Sequence, residues 1–544
     1  MLNIDLRKEV MFFSPYSGIW PHSVSEHQLA RNIDKRRFKL SIVNCGGVLD
    51  LHCAVKESKK IYKPSGTNET KKVCSDCVKC AAEVGNEVFD YQIYLADRIS
   101  LKEIDEIETF VNNTVKNDFI NLVVDGIEIG RLTAYETLIK YKKTSIELTD
   151  YEFNHWKTSL FQGLITLRTA KQIIDERMPS KILIYSPQYS SGSVFAEYAR
   201  LRGIQTYFVE GSSNIAERYS AVRIWDWEKH GLVNPALNSI SLLPVANDEE
   251  LARVIAHINE IAAARSFSVY SPKASKKLNI REHFKILDHQ RVLIAAISSY
   301  DESYSAYILG RFPLSKYQGQ VFKDQFDWIF QLIQWAVKNP KHHVIIRLHP
   351  RDLSTRRENV VSEQSQIWRD LLRNLPENVS VDYPEDEISI FDYYDQVDAY
   401  TTGWSSTALE AMVNGVPAVT YDSGMPSYPS SIHFTGTSKE EYFHNLEVAL
   451  TNGRNDANHI NAINWWALIF AKGTVRLPGR LQEHRFVKHS NVLVIAVKIL
   501  ERLLPRISHK IDMRISRNAP VSLDSEKLNT LLDEGKPDLF YESV

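Results

Sequence analysis

The sequence contains little cysteine and no long apolar run. Only five cysteines occur in 544 residues, and all of them lie between Cys45 and Cys80. An odd number of cysteines confined to one short stretch argues against a disulfide framework. No run of about 18 apolar residues is present, so a transmembrane helix is not expected. The N-terminus MLNIDLRKEV lacks the apolar core of a signal peptide. We therefore expect a cytoplasmic protein.

The sequence also lacks an excess of either positive or negative charge. The formal net charge is −2, so no overall basic field predicts a nucleic-acid partner. The chain is 44% hydrophobic and 24% charged, values typical of soluble globular domains. At about 100–200 residues per domain, this length favours two to four domains.

In the first half of the chain, short apolar stretches typical of strands alternate with longer stretches of helical periodicity. Strand-like and helix-like stretches follow one another at 10–18, 23–36 and 38–47, and again at 181–187, 193–203 and 204–211. A cysteine-rich insertion (45–80) and a helical segment (88–178) separate these two series, and residues 56–73 read as a polar loop. Strands that alternate with helices predict a parallel sheet. We assign residues 1–270 to a first α/β domain.

The same alternation restarts after a polar, basic linker at 266–281. Nearly continuous apolar strands predict a doubly wound parallel sheet with helices on both faces. These strands occur at 291–298, 342–350, 379–384, 397–403 and 417–422. We assign residues 283–480 to a second domain and 481–544 to a C-terminal helix and tail. The predicted fold is α/β, with two Rossmann-like domains facing a cleft.

The segment VCSDCVKC has the spacing C-x2-C-x2-C. Thiolates at this spacing can converge on one tetrahedral zinc ion, so Cys53, Cys74, Cys77 and Cys80 form a candidate structural site, with His52 as an alternative fourth ligand. An iron–sulfur cluster suits the same ligand type. The alternative is a set of reduced thiols in a small irregular subdomain.

Polar groups follow three predicted strands of the second domain. They occur in SSYDE (298–302), RLHPRD (347–352) and TTGWSSTALEAMVNG (401–415). The carboxyl ends of parallel strands meet at one edge of a sheet, so these groups can converge. Asp301 and Glu302 could hold a ribose or sugar hydroxyl. Equally, they could be acids favoured at a helix N-terminus.

The third of these stretches predicts a strand, a tight turn and a helix. Gly403 permits the turn, and Thr407 with Glu410 matches a capping box. Ser405 and Ser406 would then lie at the helix start, a position suited to a phosphate. Ordinary capping would require only Thr407 and Glu410, so the extra serine pair favours a binding role.

In RLHPRD, Pro350 should end the strand and hold His349 extended. His349 could donate a hydrogen bond to a phosphate oxygen, and Arg347 or Arg351 could do so in a bidentate manner. A lone histidine is more often structural. Two neighbouring arginines at the end of a buried strand favour the ligand role.

These motifs resemble the donor-binding half of GT-B glycosyltransferases of the bacterial surface-polysaccharide type. That group includes capsule proteins, sialyl-, polysialyl- and Kdo transferases and teichoic-acid polymerases. Its HP motif matches His349–Pro350, and its Ser/Ser-Thr motif matches Ser405–Ser406–Thr407. The resemblance covers 285–425 well and 1–50 and 180–215 loosely. It implies that both motifs contact the donor nucleotide, including its phosphate.

The sialyltransferase-like members carry a D/E-D/E-G motif that holds the general base. The nearest match is Val209–Glu210–Gly211, where valine replaces the first acid. Glu210 could take the proton of the acceptor hydroxyl. Rival bases are His22 and Glu26, although Glu26 reads more simply as a solvated helix residue.

The predicted function is transfer of a sugar from a nucleotide-activated donor, CMP-linked by one interpretation, without a catalytic metal or cofactor. The acceptor would be a glycan or lipid-linked glycan, and the basic stretch 491–517 could contact the inner face of the membrane. Alternatives are a sugar-nucleotide epimerase or glycerophosphotransferase of the same fold, or a non-catalytic scaffold.

Overall fold

A computed structural model describes most of the chain. The described residues are 6–51, 53–59, 61, 66–218, 220–226, 243–264, 270–275, 278–311, 321–353, 360–403, 405–421, 428–454, 456–477, 513–514 and 516–540. His52 and nearly all of the segment 491–517 lie outside these ranges. Within them, no helix is both long and apolar enough to cross a bilayer.

The strands fall into two sheets. They are β1 (Lys8–Phe13), β2 (Phe38–Asn44), β3 (Tyr91–Tyr94), β4 (Lys181–Tyr185), β5 (Gln205–Gly211), β6 (Ala221–Asp226), β7 (Arg291–Ala296), β8 (His342–Arg347), β9 (Val379–Asp382), β10 (Ala399–Thr402), β11 (Ala418–Thr420), β12 (Phe434–Thr435) and β13 (Val475–Arg476).

Each sheet has the strand order of a Rossmann domain. The first runs β13-β6-β5-β4-β1-β2-β3, and its strands β1 to β5 are parallel in the order 3-2-1-4-5. The second runs β12-β11-β10-β7-β8-β9 and is parallel throughout, in the order 3-2-1-4-5-6 when its strands are counted from β7. The predicted fold class, two doubly wound α/β domains, is confirmed.

Helices connect and cover the strands. They are α1 (Trp20–Arg31), α2 (Ala54–Ser58), α3 (Asn68–Val88), α4 (Leu101–Asn113), α5 (Ile129–Leu132), α6 (Tyr135–Lys140), α7 (Asp150–Arg177), α8 (Ser190–Leu201), α9 (Asp248–Ala262), α10 (Ile280–His283), α11 (Tyr300–Ile308), α12 (Gln325–Lys338), α13 (Ser365–Leu371), α14 (Thr407–Val413), α15 (Lys439–Asn452), α16 (Asp456–Lys472) and α17 (Ser525–Glu534).

The cysteine-rich insertion is helical. The sequence predicts a loop over 56–73, but α2 and α3 extend into this stretch. Thr67 caps α3, because its side chain accepts a hydrogen bond from the backbone N–H of Thr70. Cys74, Cys77 and Cys80 therefore follow one another at helical spacing.

Both faces of the first sheet are covered. Met11 and Phe13 of β1 belong to one apolar cluster, whereas Val10 and Phe12 belong to another. Successive side chains of a strand point to opposite faces, so continuous apolar runs satisfy two helical layers at once. This is why the strands read as unbroken apolar stretches.

The end of the chain returns to the first domain. β13 pairs with β6 in the first sheet, after α16 has packed in the second domain. Leu531 of α17 lies in an apolar cluster of the first domain, and Tyr207 of β5 donates a hydrogen bond to the carbonyl of Lys536 at 2.8 Å. Residues near the C-terminus thus help to form the first domain's core.

We expect Leu531→Ala to lower the free energy of unfolding by about 2–5 kcal/mol, because it leaves a cavity in that core. Leu523→Ala is the matched control, since Leu523 is 88% exposed while Leu531 is 1% exposed. Urea unfolding followed by circular dichroism would measure both. Equal, small effects would show that α17 contributes little to the first domain.

Candidate functional site

Polar residues of the second domain face the first domain across a cavity of about 410 Å³. Six of the predicted residues line it: Arg347, His349, Ser405, Ser406, Thr407 and Glu410. They converge because β8 and β10 both flank β7, so their carboxyl ends share one sheet edge. The volume lies in the range of ligand-binding sites.

His349 is a neutral hydrogen-bond donor at this edge. Its Nδ1 accepts a hydrogen bond from the backbone N–H of Arg351 at 3.2 Å. The pKa of His349 is lowered from 6.5 to about 4, chiefly by burial, while the charge of Asp301 opposes this shift and the nearby cations Arg351 and Arg347 support it. The neutral ring therefore carries its proton on Nε2, which is free of that backbone contact.

Arg347 is held largely by its own domain. Its guanidinium pairs with Asp382 of β9 and donates to the carbonyl of Ile388 at 2.9 Å. The guanidinium also lies 5.6 Å from the centre of the Tyr393 ring. Arg347 thus contributes positive charge to the cavity wall while most of its hydrogen-bonding capacity is used inside the domain.

Arg351 and Asp301 form a buried ion pair rather than two separate ligands. Arg351 Nη2 lies 2.6 Å from Asp301 Oδ2, and Ser299 donates to the other carboxylate oxygen at 2.6 Å. Glu302 lies 3.6 Å from Arg351 Nε. None of Arg351, Asp301 and Glu302 is among the residues that line the cavity, so the structure does not place these three predicted residues in its wall.

The serine pair lies at the cavity, but the predicted capping box is wrong. Helix α14 begins at Thr407, its N-cap residue is Ser406, and no side chain caps it. Instead, Ser405 Oγ accepts a hydrogen bond from the Thr407 N–H at 3.3 Å and lies 2.8 Å from Thr407 Oγ1. Gly403 is required for space, because a Cβ there would lie 2.5 Å from the hydroxyl of Tyr421.

Glu410 is a buried acid in the cavity wall. Burial raises its pKa from 4.5 to about 8, partly offset by a hydrogen bond with Tyr394 and the charge of Arg347. At neutral pH it is therefore mostly protonated. The hydroxyl of Thr407 likewise forms a hydrogen bond, with the hydroxyl of Tyr400.

The first domain contributes a cation opposite these groups. Arg223 of β6 lines the cavity, and its direct cross-strand partner on β5 is Glu210. Cross-strand partners project from the same face of a sheet. Burial lowers the pKa of Arg223, and the carboxylate of Glu210 opposes that shift. Glu210 itself is not among the residues that line the cavity, but it lies next to Arg223, which does.

The rival bases are placed differently. Glu26 is 3% exposed and accepts a hydrogen bond from Ser14, and burial raises its pKa to about 8. The expectation that Glu26 is a solvated helix residue is therefore wrong. The His22 ring stacks on Tyr185 with ring centres 4.4 Å apart.

Several lining residues were not predicted. Arg223, His257 and Tyr270 belong to β6, α9 and the linker, and Trp465 and Trp466 belong to α16. His257 Nδ1 accepts the N–H of Ile215 at 2.9 Å, and burial lowers its pKa to about 3. The stretch INWWALIF, which contains both tryptophans, is typical of any buried apolar helix, so the sequence does not indicate that these residues line a cavity.

The five cysteines form no disulfide bond with one another and are partly buried. The pKa of Cys45, Cys74 and Cys77 is raised, to about 12 for Cys45, chiefly by burial, and the nearby Cys53 acts in the same direction. Over the described part of the chain, no three His, Cys, Asp or Glu side chains could hold a metal ion. The predicted zinc site at Cys53, Cys74, Cys77 and Cys80 stays a prediction.

No protein-family model matches the chain, and no curated protein sequence matches it.

Solved structures of similar topology include both transferases and epimerases. UDP-GlcNAc 2-epimerase from Neisseria meningitidis, bound to UDP-GlcNAc, is 11% identical over 85% of this chain and 98% of that chain, with a TM-score of 0.27. KpsC of Thermosulfurimonas dismutans, a β-Kdo 2,4 transferase, is 12% identical over 53% and 79%, with a TM-score of 0.31. The calicheamicin glycosyltransferase CalG4 is 12% identical over 92% and 100%, with a TM-score of 0.26. Because these TM-scores are low, the fold assignment depends on the strand orders above.

The protonation of Glu410 predicts a pH dependence of stability. Its pKa is higher in the folded protein, so its contribution is present below about pH 4.5 and is lost as the pH rises through about 8. Glu410→Gln, which is always neutral, should flatten the stability profile across this window. Urea unfolding at about pH 5 and about pH 8.5 would test this. A constant difference between the two proteins at both pH values would contradict it.

Proposed function

We propose that the protein is a glycosyltransferase that binds a nucleotide-activated sugar donor in the cavity between its domains. The observation that supports this most directly is the placement of His349, Ser405 and Ser406 around one cavity. These residues come from two separate strand ends. A shared cavity is what a common ligand requires, and local capping does not account for it.

The donor phosphates would lie between His349 and the serine pair. His349 supplies an Nε2–H donor, and Ser405 and Ser406 supply hydroxyl donors. Arg223 adds a cation from the opposite wall. As the bond to the sugar breaks, negative charge grows on the phosphate, and donors already in place stabilise that charge without reorganisation.

The nucleoside would occupy the apolar part of the cavity. Ile390, Leu409 and Trp466 line that part. Flat bases bind readily against such surfaces, with a few polar groups to orient them. The walls do not define the base, so CMP-, UDP- and CDP-linked donors all remain candidates within the proposal.

Glu210 would act as the general base for a glycan or lipid-linked glycan acceptor. It belongs to the first domain, across the cavity from His349, and a base must approach the acceptor hydroxyl from the side opposite the leaving group in direct displacement. Its carboxylate lies beside Arg223, which would also approach the donor phosphate. Acceptor and donor would thus meet at the boundary between the domains.

Glu410 favours a second candidate function, a sugar-nucleotide epimerase. A buried acid with a pKa of about 8 lies in the proposed donor site itself. Groups with pKa values near neutrality can exchange protons with substrate carbon or oxygen atoms. An epimerase would convert the nucleotide sugar with no acceptor present, whereas a transferase would need one.

Removal of the side chains that donate hydrogen bonds to the donor phosphate should weaken nucleotide binding. A hydrogen bond to a charged group contributes about 1.5–3 kcal/mol, so His349→Ala and the double variant Ser405→Ala/Ser406→Ala should each lose roughly tenfold or more in affinity. Calorimetry with CMP, UDP and CDP would measure this. Ser430→Ala/Ser431→Ala is the control, because that exposed serine pair lies outside the cavity. Binding that is unchanged in all variants, or absent for all three nucleotides, would count against the proposal.

Loss of the base should affect turnover and not donor binding. We expect Glu210→Gln to lower the transfer rate by about 10²–10⁴-fold while nucleotide affinity stays within about twofold. Nucleotide release from CMP-, UDP- and CDP-activated sugars with added glycan acceptor would report turnover. Glu26→Gln is the comparison variant. If the rate loss followed Glu26→Gln instead, the base assignment would be wrong.

A further inference from the structure

Arg223 is a cation of the cavity wall with hydrogen-bonding capacity left for a ligand. Its guanidinium packs over Trp225, with Cζ 4.7 Å from the ring centre. It forms no hydrogen bond and no ion pair within the described part of the chain, although Glu210 and Asp538 attract its charge. Arg347, the other arginine of the wall, is by contrast held in an ion pair and a backbone hydrogen bond. The donors of Arg223 are therefore available to a bound anion.

His257 supplies a second donor beside Arg223. Its Nδ1 accepts the N–H of Ile215 at 2.9 Å, so the neutral ring carries its proton on Nε2. The rings of Trp466 and Phe470 pack edge to face against the imidazole, with ring centres 4.6 and 5.0 Å away. Among the residues that the structure describes, Nε2 has no hydrogen-bond partner. The ring is thus fixed in place, and its N–H is left for the cavity that His257 lines.

Helix α9 is attached to the first domain, so His257 and Arg223 belong to one wall. Arg253 of α9 pairs with Glu217, which follows β5, and its Nε lies 2.7 Å from the carboxylate. Ser213, also after β5, lines the cavity too. The first domain therefore presents a guanidinium, an imidazole N–H and a hydroxyl to the same cavity.

The second domain presents a separate set of donors to this cavity. His349, Ser405 and Ser406 form that set and would bind one phosphate. Glu410 is the only acid among the described residues of the wall, and it is mostly protonated at neutral pH. Donors from two domains, with no ionised carboxylate in the wall, fit a ligand that carries two anionic groups.

We propose that the sugar donor is linked to a nucleoside diphosphate, whose second phosphate is bound by Arg223 and His257. The first phosphate would be bound by His349 and the serine pair, so this inference rests on the proposed function. A donor linked to CMP carries one phosphate and would leave the guanidinium and imidazole donors of the first domain unused. The class of donor is therefore UDP- or CDP-linked.

The test compares nucleotides that differ by one phosphate. Calorimetry of the full-length chain should show that CDP binds roughly tenfold or more tightly than CMP, and UDP than UMP, because the second phosphate gains charge-assisted hydrogen bonds. Arg223→Gln should weaken CDP binding by roughly tenfold and leave CMP binding within about twofold. Arg202→Gln is the matched control and should keep the full difference, since this exposed arginine of the first domain lies outside the cavity.

Two results would overturn the inference and leave the proposed function standing. One is equal affinity for CMP and CDP, and the other is an Arg223→Gln variant that weakens both nucleotides by the same factor. Failure of all four nucleotides to bind would overturn the proposed function as well. Circular dichroism would show whether Arg223→Gln folds. If it did not, His257→Asn, which removes Nε2, and the ratio of CDP to CMP affinity in the unmodified chain would still decide the matter.

Discussion

The buried ion pair between Arg351 and Asp301 organises the surroundings of the candidate site. Arg351 joins the segment after β8 to the start of α11 through this pair. Its guanidinium also contacts the hydroxyl of Tyr270 at 3.4 Å in the linker and the carbonyl of Ile139 at 3.3 Å in the first domain. Its backbone N–H orients His349. Arg351 therefore connects both domains and the linker through its side chain, and it contacts His349, the proposed hydrogen-bond donor to the phosphate, through its backbone.

This arrangement explains why the ion pair tolerates burial. Two charges taken out of water are stable only when each is well paired, and removal of one partner typically costs about 3–5 kcal/mol. Here Asp301 receives hydrogen bonds from Arg351 and Ser299. The sequence suggested that both residues could bind ligand directly. In the structure the two residues form an ion pair with each other, so they would affect a ligand only through His349.

The polar residues at the sheet edge could be predicted from the sequence, because their positions depend on local periodicity and on the rule that the carboxyl ends of parallel strands meet at one edge. Continuous apolar strands alternating with helices define parallel sheets, and polar residues after such strands share an edge. His349, Ser405 and Ser406 follow from that reasoning. The predicted capping box at Thr407 and Glu410 is absent, because Tyr400 of β10 contacts Thr407 and Tyr394, earlier in the chain, contacts Glu410.

The other wall of the cavity could not be predicted, since it depends on contacts between distant segments. Arg223 lies on β6, a strand completed by β13 about 250 residues later in the chain. Trp466 lies on α16, which packs against α9 of the other half. Likewise, the partner of Arg347 is set by the register of β8 against β9, where Arg347 lies opposite Asp382. Such pairings leave no periodic signal in the sequence.

The pairing of Arg223 with Glu210 links the two halves of the proposed reaction. A buried guanidinium requires a nearby anion, and Glu210 is the carboxylate opposite it on β5. A donor phosphate in the cavity would supply a second anion to Arg223. Arg223 would then interact with both the donor phosphate and Glu210, so one side chain would hold the donor next to the proposed base.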